Sequence, residues 1–378
     1  MTEHPYAWLK RERPFKLRLA ESGYSAREAI PVGENLYDPV LGWFEPDGSL
    51  LFADIGGQKE YGWDPSIGHG AVGVIRPDFS IDYRVPPENM GSFVSLQPSQ
   101  APAGFGAFGG DVFLVGQEEP GRAASKKGHL VFHLPRGADR LEIFSRLPTI
   151  EGKVPGAAVT GPFGRHGTPQ EGYLYIVSIM NAIVYRMDCR GHAESYARLD
   201  LIEPKIMPIN MGWAPEWWGD LAGEMIVWGK QGCTWMDAFD PKYPFCYWHI
   251  DASGRVNPEP IEPRPSALAA SNMSSFLGHK APAEFGRFGG DIFFVDEGEH
   301  DLMHRNYRPE SSVLPYDAKL MRIDKNGNAH VFADNFFGGF TDLRFQKNRL
   351  IMGLLGKGYS TGDYHHPDAA IYEIKVGQ

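Results

Sequence analysis

The chain has 378 residues, 42% of them hydrophobic and 22% charged, enough apolar content for a packed core and too little charge for a wholly disordered chain. Lys and Arg number 37 against 47 Asp and Glu, a net charge of −10, which argues against a nonspecific nucleic-acid surface or a polybasic membrane anchor. With 45 Gly and 30 Pro spread throughout, the composition asks for many short elements and many turns rather than long helices or a coiled coil.

In chain order, residues 1–24 read as an N-terminal arm. No secretory signal is expected there, since Tyr6 to Leu9 runs into Lys10, Arg11, Glu12 and Arg13. Ser25 to Val32 reads as a strand. No apolar run reaches the length of a membrane span, so a cytoplasmic protein without membrane or nucleic-acid partners is expected.

From there a repeat governs the chain. Ala101-Pro102-Ala103-Gly104-Phe105-Gly106-Ala107-Phe108-Gly109-Gly110-Asp111 returns about 180 residues later as Ala281-Pro282-Ala283-Glu284-Phe285-Gly286-Arg287-Phe288-Gly289-Gly290-Asp291. Apolar runs around residues 53, 113, 175, 227, 292 and 353 then mark six units of about 60 residues. Each marker is followed by a loop, a strand, a tight polar turn and another strand. Unit one shows Ala71 to Ile75 and Phe79 to Val85 around Arg76-Pro77-Asp78. Unit five shows Leu320 to Ile323 and Asn328 to Ala333 around Asp324-Lys325-Asn326-Gly327, whose Asn-Gly supplies a hairpin turn. Six such four-stranded units predict an all-β six-bladed β-propeller over residues 25–378.

The last unit lacks its outer strand, and Ser25 to Val32 is expected to supply it, removing two open sheet edges. Ser266 to Lys280 admits a short helix ended by Gly278 and Pro282. The paired glycines at 109–110 and 289–290 read as points of close backbone approach between blades. Cys189, Cys233 and Cys246 form no disulfide framework or zinc spacing, and Cys246 is expected to be structural.

The blade phrase Trp43-Phe44-Glu45-Pro46-Asp47-Gly48-Ser49-Leu50-Leu51, with the repeats, resembles the six-bladed propellers that include gluconolactonase-like and arylesterase-like hydrolases and soluble sugar dehydrogenases. The resemblance covers residues 25 to 378. It implies an enzyme and a calcium ion at the top of the channel. Tyr37-Asp38-Pro39 stands where one hydrolase branch has Glu-Gly-Pro, so the reaction is not selected.

The long second-to-third connections, about 55 to 69, 296 to 317 and 356 to 369, hold His69, His300, His304, His365 and His366. Imidazole exchanges protons near neutral pH and binds transition metals. His69 and His304 are the expected catalytic pair. Tyr61, Trp63, Trp217 and His365 are the expected substrate contacts, because aromatic faces hold sugar C–H surfaces. Asp38, Glu284 and Asp342 are the expected ligands of a divalent metal, calcium or zinc. The reading is a metal-assisted hydrolase of a small cyclic oxygenated compound with histidine proton transfer. Its alternatives are a lyase or hydratase on a carbohydrate-like substrate, a quinone-dependent sugar dehydrogenase, and a nonenzymatic ligand-binding propeller. The sequence leaves the oligomeric state open.

Overall fold

The computed structural model describes residues 17–31, 36, 39–54, 58–59, 62–63, 70–86, 89, 97–117, 129–233, 243, 245–270, 277–296, 318–336, 342–354 and 369–377. Within them the chain is all-β, and its strands form successive antiparallel sheets, each a meander of neighbours in sequence. Blade one is Pro39–Phe44, Leu50–Asp54, Ala71–Ile75 and Ile81–Val85. Blade two is Ser99–Gln100, Val112–Gln117, His129–Leu134 and Glu142–Arg146. Blade three is Ala158–Phe163, Tyr173–Ser178, Ile183–Asp188 and Ala193–Arg198. Blade four has Ile206–Trp213, Met225–Gln231 and Phe245–Ile250. These four sheets lie in one compact unit, residues Val40–Ala238 with Phe245–Glu262.

The second compact unit joins Met1–Pro39 to Phe239–Pro244 and Pro263–Gln378. Its blade five is His279–Lys280, Ile292–Asp296, Ala318–Ile323 and Ala329–Phe336, and its blade six begins Asp342–Gln346, Arg349–Leu354 and Ala370–Val376. The outer strand of blade six is Tyr24–Ile30, paired antiparallel from Tyr24↔Val376 to Ile30↔Ile371. The closing strand expected at Ser25 to Val32 is therefore present, slightly earlier in the chain. Arg18–Leu19, inside the segment read as an arm, instead adds a fifth strand to blade five, where Arg18 grips Asp334 through two bonds of 2.7 and 2.6 Å.

Polar turns set the hairpins. Asp188, Asp251 and Asp324 each accept two backbone N–H groups through one carboxylate oxygen, and Gly191, Gly254 and Gly327 supply the left-handed residue. Blade four departs from the expected four strands. The segment after Ile250 makes only isolated bridges at Val256 and Ile261, because Pro258, Pro260 and Pro263 remove ladder donors. Ser266–Ala270 is a 3-10 turn.

The repeated motif has a common architecture. Gly106–Phe108 and Gly286–Phe288 are 3-10 turns between the first and second strands of blades two and five. Phe105 and Phe285 are fully buried, each edge-to-face with the next strand's Phe113 or Phe293. Loss of such a ring costs about 3 to 5 kcal/mol. Gly110 and Gly290 have φ of 88° and 94°. A Cβ on Gly109 or Gly289 would stand 2.9 or 2.7 Å from the backbone of Ala103 or Ala283, so the close approach is inside one turn rather than between blades. The motif's aspartates serve one purpose with different partners: Asp111 meets His133 at 3.1 Å and Asp291 meets Arg322 at 2.8 Å. His133 and Arg322 occupy the same ladder position, opposite Phe113 and Phe293.

Candidate functional site

In the unit holding blades five and six, the strands define two ends. Residues 281–291 connect the first and second strands of blade five at one end. At the other, the chain leaves at Asp296, returns at Ala318, and pairs Ala318 with Phe336 before entering blade six at Asp342. Asp342 thus lies at the end from which the 297–317 connection departs.

A polar cluster runs from there along neighbouring first strands toward the 281–291 end, His279 standing one ladder pair from that end. His279 opens blade five's first strand, opposite Phe293, and Arg344 sits on Asp342–Gln346 of blade six, the strand beside it. Arg344 Nη1 donates to Asp342 Oδ1 at 2.5 Å and to the Leu343 carbonyl at 2.7 Å. Asp342 also accepts the Leu343 N–H at 3.0 Å. His279 as a residue is partly accessible, yet burial of its ring, reinforced by the Arg344 charge, pushes its pKa down to about 3. Its ring nitrogens make no hydrogen bond among the described residues. A neutral imidazole beside a guanidinium that a carboxylate holds in place can donate to an oxyanion or a carboxylate. A strongly perturbed group of this kind is a functional-site signal.

Several expected site residues, His69, His304, Tyr61, His365 and Asp38, lie outside the described residues. Trp63 closes a two-residue strand, Gly62–Trp63, paired with Gln58–Lys59. Trp217 is half-buried on the 3-10 segment Glu216–Leu221. That segment joins the first and second strands of blade four, the end opposite the one where Gln231 leaves the sheet. Glu284 is exposed in the corresponding connection of blade five. The structure therefore does not bring Glu284 to Asp342: the two emerge at opposite ends of their sheets. Nor does Glu284 hold Arg287, which pairs with Glu21 at 2.8 Å.

Among the described residues no three His, Cys, Asp or Glu side chains gather as a metal site. Asp342 is already compensated by Arg344, and Glu284 emerges at the other end, so these two carboxylates do not share one metal ion. Burial pushes the Cys246 thiol up, with Lys230 opposing it, which keeps it protonated and suits a structural role.

Sequence reasoning missed two histidines, His279 and His129. His129 is fully buried at the start of blade two's third strand. Its Nδ1 lies 3.2 Å from the Pro155 carbonyl, while Nε2 has no partner among the described residues. A signal for His279 did exist. Counted two residues upstream of Ala101 and Ala281, Ser99 is set against His279, and both stand opposite the motif's phenylalanine, Phe113 or Phe293.

Comparison of the chain with protein-family models and with curated proteins finds no match. Solved structures do resemble it. A protein of unknown function from Dyadobacter fermentans matches with a TM-score of 0.51 and 11% identity, over 94% of this chain and 100% of that one. Virginiamycin B lyase from Staphylococcus aureus matches at 0.43 and 10% identity, over 93% and 99% of the two chains. A glucose dehydrogenase matches at 0.45 and 13% identity, over 94% and 99%. The likeness to the Dyadobacter fermentans protein, at 11% identity, is one of fold. Together with the six successive meanders and the N-terminal strand that completes the last of them, it gives the chain the six-bladed β-propeller fold.

Proposed function

We propose that the protein is a small-molecule lyase or hydratase acting on a carbohydrate-like compound that carries a carboxylate or carbonyl group. The observation that carries this reading is the partly accessible, neutral His279 beside Arg344, itself oriented by Asp342. Elimination next to a carbonyl or carboxylate begins when a base removes the adjacent C–H proton and the electron pair moves onto oxygen. The resulting oxyanion needs donors already in place, and Arg344 with the His279 N–H supplies them. The pair then returns to form the C=C bond as the β-oxygen leaves with a proton. Hydration is the same path reversed. With its pKa near 3, His279 is suited to donate a hydrogen bond rather than to act as the base. Proton transfer falls to a second group, for which His304, in the sequence between Asp296 and Ala318 of the same unit, is the candidate.

The oxyanion pair would equally serve hydrolysis of a cyclic ester, so the product decides between the classes. Incubation with a panel of sugar acids and lactones, followed by ultraviolet absorbance of the conjugated product and by mass, is the test. An unsaturated or hydrated product is expected, with His279→Gln and Arg344→Gln each lowering kcat by about a hundredfold or more. Full turnover in both variants overturns the assignment. A hydrolysed product with the same variant losses moves it to the hydrolases.

A further inference from the structure

In the other unit, the first strands of blades two, three and four each depart from regular geometry, and the departures meet. Gln97, just before Ser99–Gln100, has φ of 70°, a left-handed conformation that a non-glycine residue rarely adopts. Ala158–Phe163 shifts register between Thr160 and Phe163, and Ile206–Trp213 shifts between Pro208 and Asn210. Bulges re-aim side chains, and backbone strain collects where ligands are held.

Here they build one hydrogen-bonded ridge. Thr160 Oγ1 donates to the Gln97 carbonyl. Asn210 Nδ2 donates to Gln97 Oε1 at 2.5 Å, while Asn210 Oδ1 accepts the Met211 N–H at 2.8 Å. Ser99 Oγ donates to the Gly161 carbonyl at 2.9 Å. Blade three's first strand neighbours those of both blade two and blade four. An amide of blade four that reaches blade two therefore passes along the inner edge of the unit.

The ridge is neutral. Thr160 and Ser99 are buried, whereas Gln97 and Asn210 are partly accessible. With Oε1 occupied, Gln97 Nε2 presents two N–H donors that have no partner among the described residues, and Asn210 Oδ1 keeps a second lone pair. Donors and acceptors side by side match hydroxyl groups, each of which both donates and accepts. A charged ligand would find no counter-charge to offset its desolvation. We propose that this ridge binds a neutral polyhydroxylated compound, a sugar or sugar alcohol. The proposal stands apart from the lyase reading, because binding here is read without turnover.

The test is NMR of the Gln97 and Asn210 side-chain amides, assigned from variants, during titration with sorbitol and methyl glucoside. Gluconate and calcium chloride serve as the charged counterparts. Saturable shifts with millimolar affinity are expected for the neutral probes, weakened about tenfold or more in Gln97→Gly and unchanged in His279→Gln. Gln97→Gly also separates binding from folding. Glycine accepts a φ of 70° without strain, which offsets the lost bond to Asn210, so this variant should melt within a few degrees of the parent while losing the probe. The proposal is overturned by absent shifts at about 0.1 M probe, by equal affinity in Gln97→Gly, or by a response to calcium alone, which would make the ridge a cation site.

Discussion

Replacing His129 by Gln should remove a specific part of the protein's acid sensitivity. Burial pushes the His129 pKa from 6.5 down to about 4, against the raising effect of the Pro155 carbonyl. In the unfolded chain the imidazole takes up its proton near pH 6.5, while in the folded protein it resists until about pH 4. The unfolded state therefore binds more protons between these values. Stability from this group is full above pH 6.5 and is lost as pH falls toward 4. Linkage between those two pKa values gives about 2.5 kcal/mol lost between about pH 7.5 and pH 4.5. Glutamine does not titrate, and its amide N–H can replace the bond to Pro155. Urea unfolding followed by tryptophan fluorescence at both pH values measures the difference, with all other titrating groups common to the two proteins. The wild type should lose about 2 to 3 kcal/mol more than His129→Gln on acidification. Equal losses would show that the buried orphan nitrogen does not resist protonation, and would refute the reasoning.

Glu373 is 1% exposed and meets Arg27 at 2.8 Å, Lys375 at 3.1 Å and Arg349 at 3.6 Å. Glu373→Ala should cost about 1 to 3 kcal/mol in thermal or urea melts, because it leaves Arg349, whose side chain is 14% exposed, without its carboxylate, whereas Arg27→Ala, whose side chain is 58% exposed, should cost about 1 kcal/mol or less. Elemental analysis after exhaustive dialysis should find whatever metal the protein retains undiminished in Glu284→Ala, because Glu284 is exposed at the end of blade five away from Asp342. Loss of metal in that variant would restore Glu284 as a ligand.

The fold was legible because its turns are written in residues with few alternatives. Asp-x-x-Gly hairpins recur, and the Ala-Pro-Ala to Gly-Gly-Asp motif repeats wherever a 3-10 turn must bury a phenylalanine and place an aspartate. The site was less legible because the periodic landmarks mark second strands. Residues just before them, such as Glu284 and Trp217, look like entrances to a channel but occupy first-to-second turns. First strands are short in blades two and five, Ser99–Gln100 and His279–Lys280, and leave little pattern to read. His129 gave no signal at all: its role depends on a carbonyl 26 residues away. Gln97 and Asn210 are ordinary amides until a left-handed backbone at the first and a register shift at the second bring them together.

The pairing of Tyr24–Ile30 with Ala370–Val376 has a consequence for how the molecule comes into being. On a ribosome, the outer strand of blade six emerges first and its partner last, with Arg27 and Glu373 separated by 346 positions. Closing so long a loop costs about 5 kcal/mol of chain entropy, which nearer contacts repay only after the intervening sheets have shortened the path. Until then blade six has three strands and an open edge, while a seven-residue segment rich in β-forming pattern waits unpaired. Folding of this protein should thus finish on a strand made long before its partner, and nascent chains stopped short of Ala370 should be the species that chaperones hold.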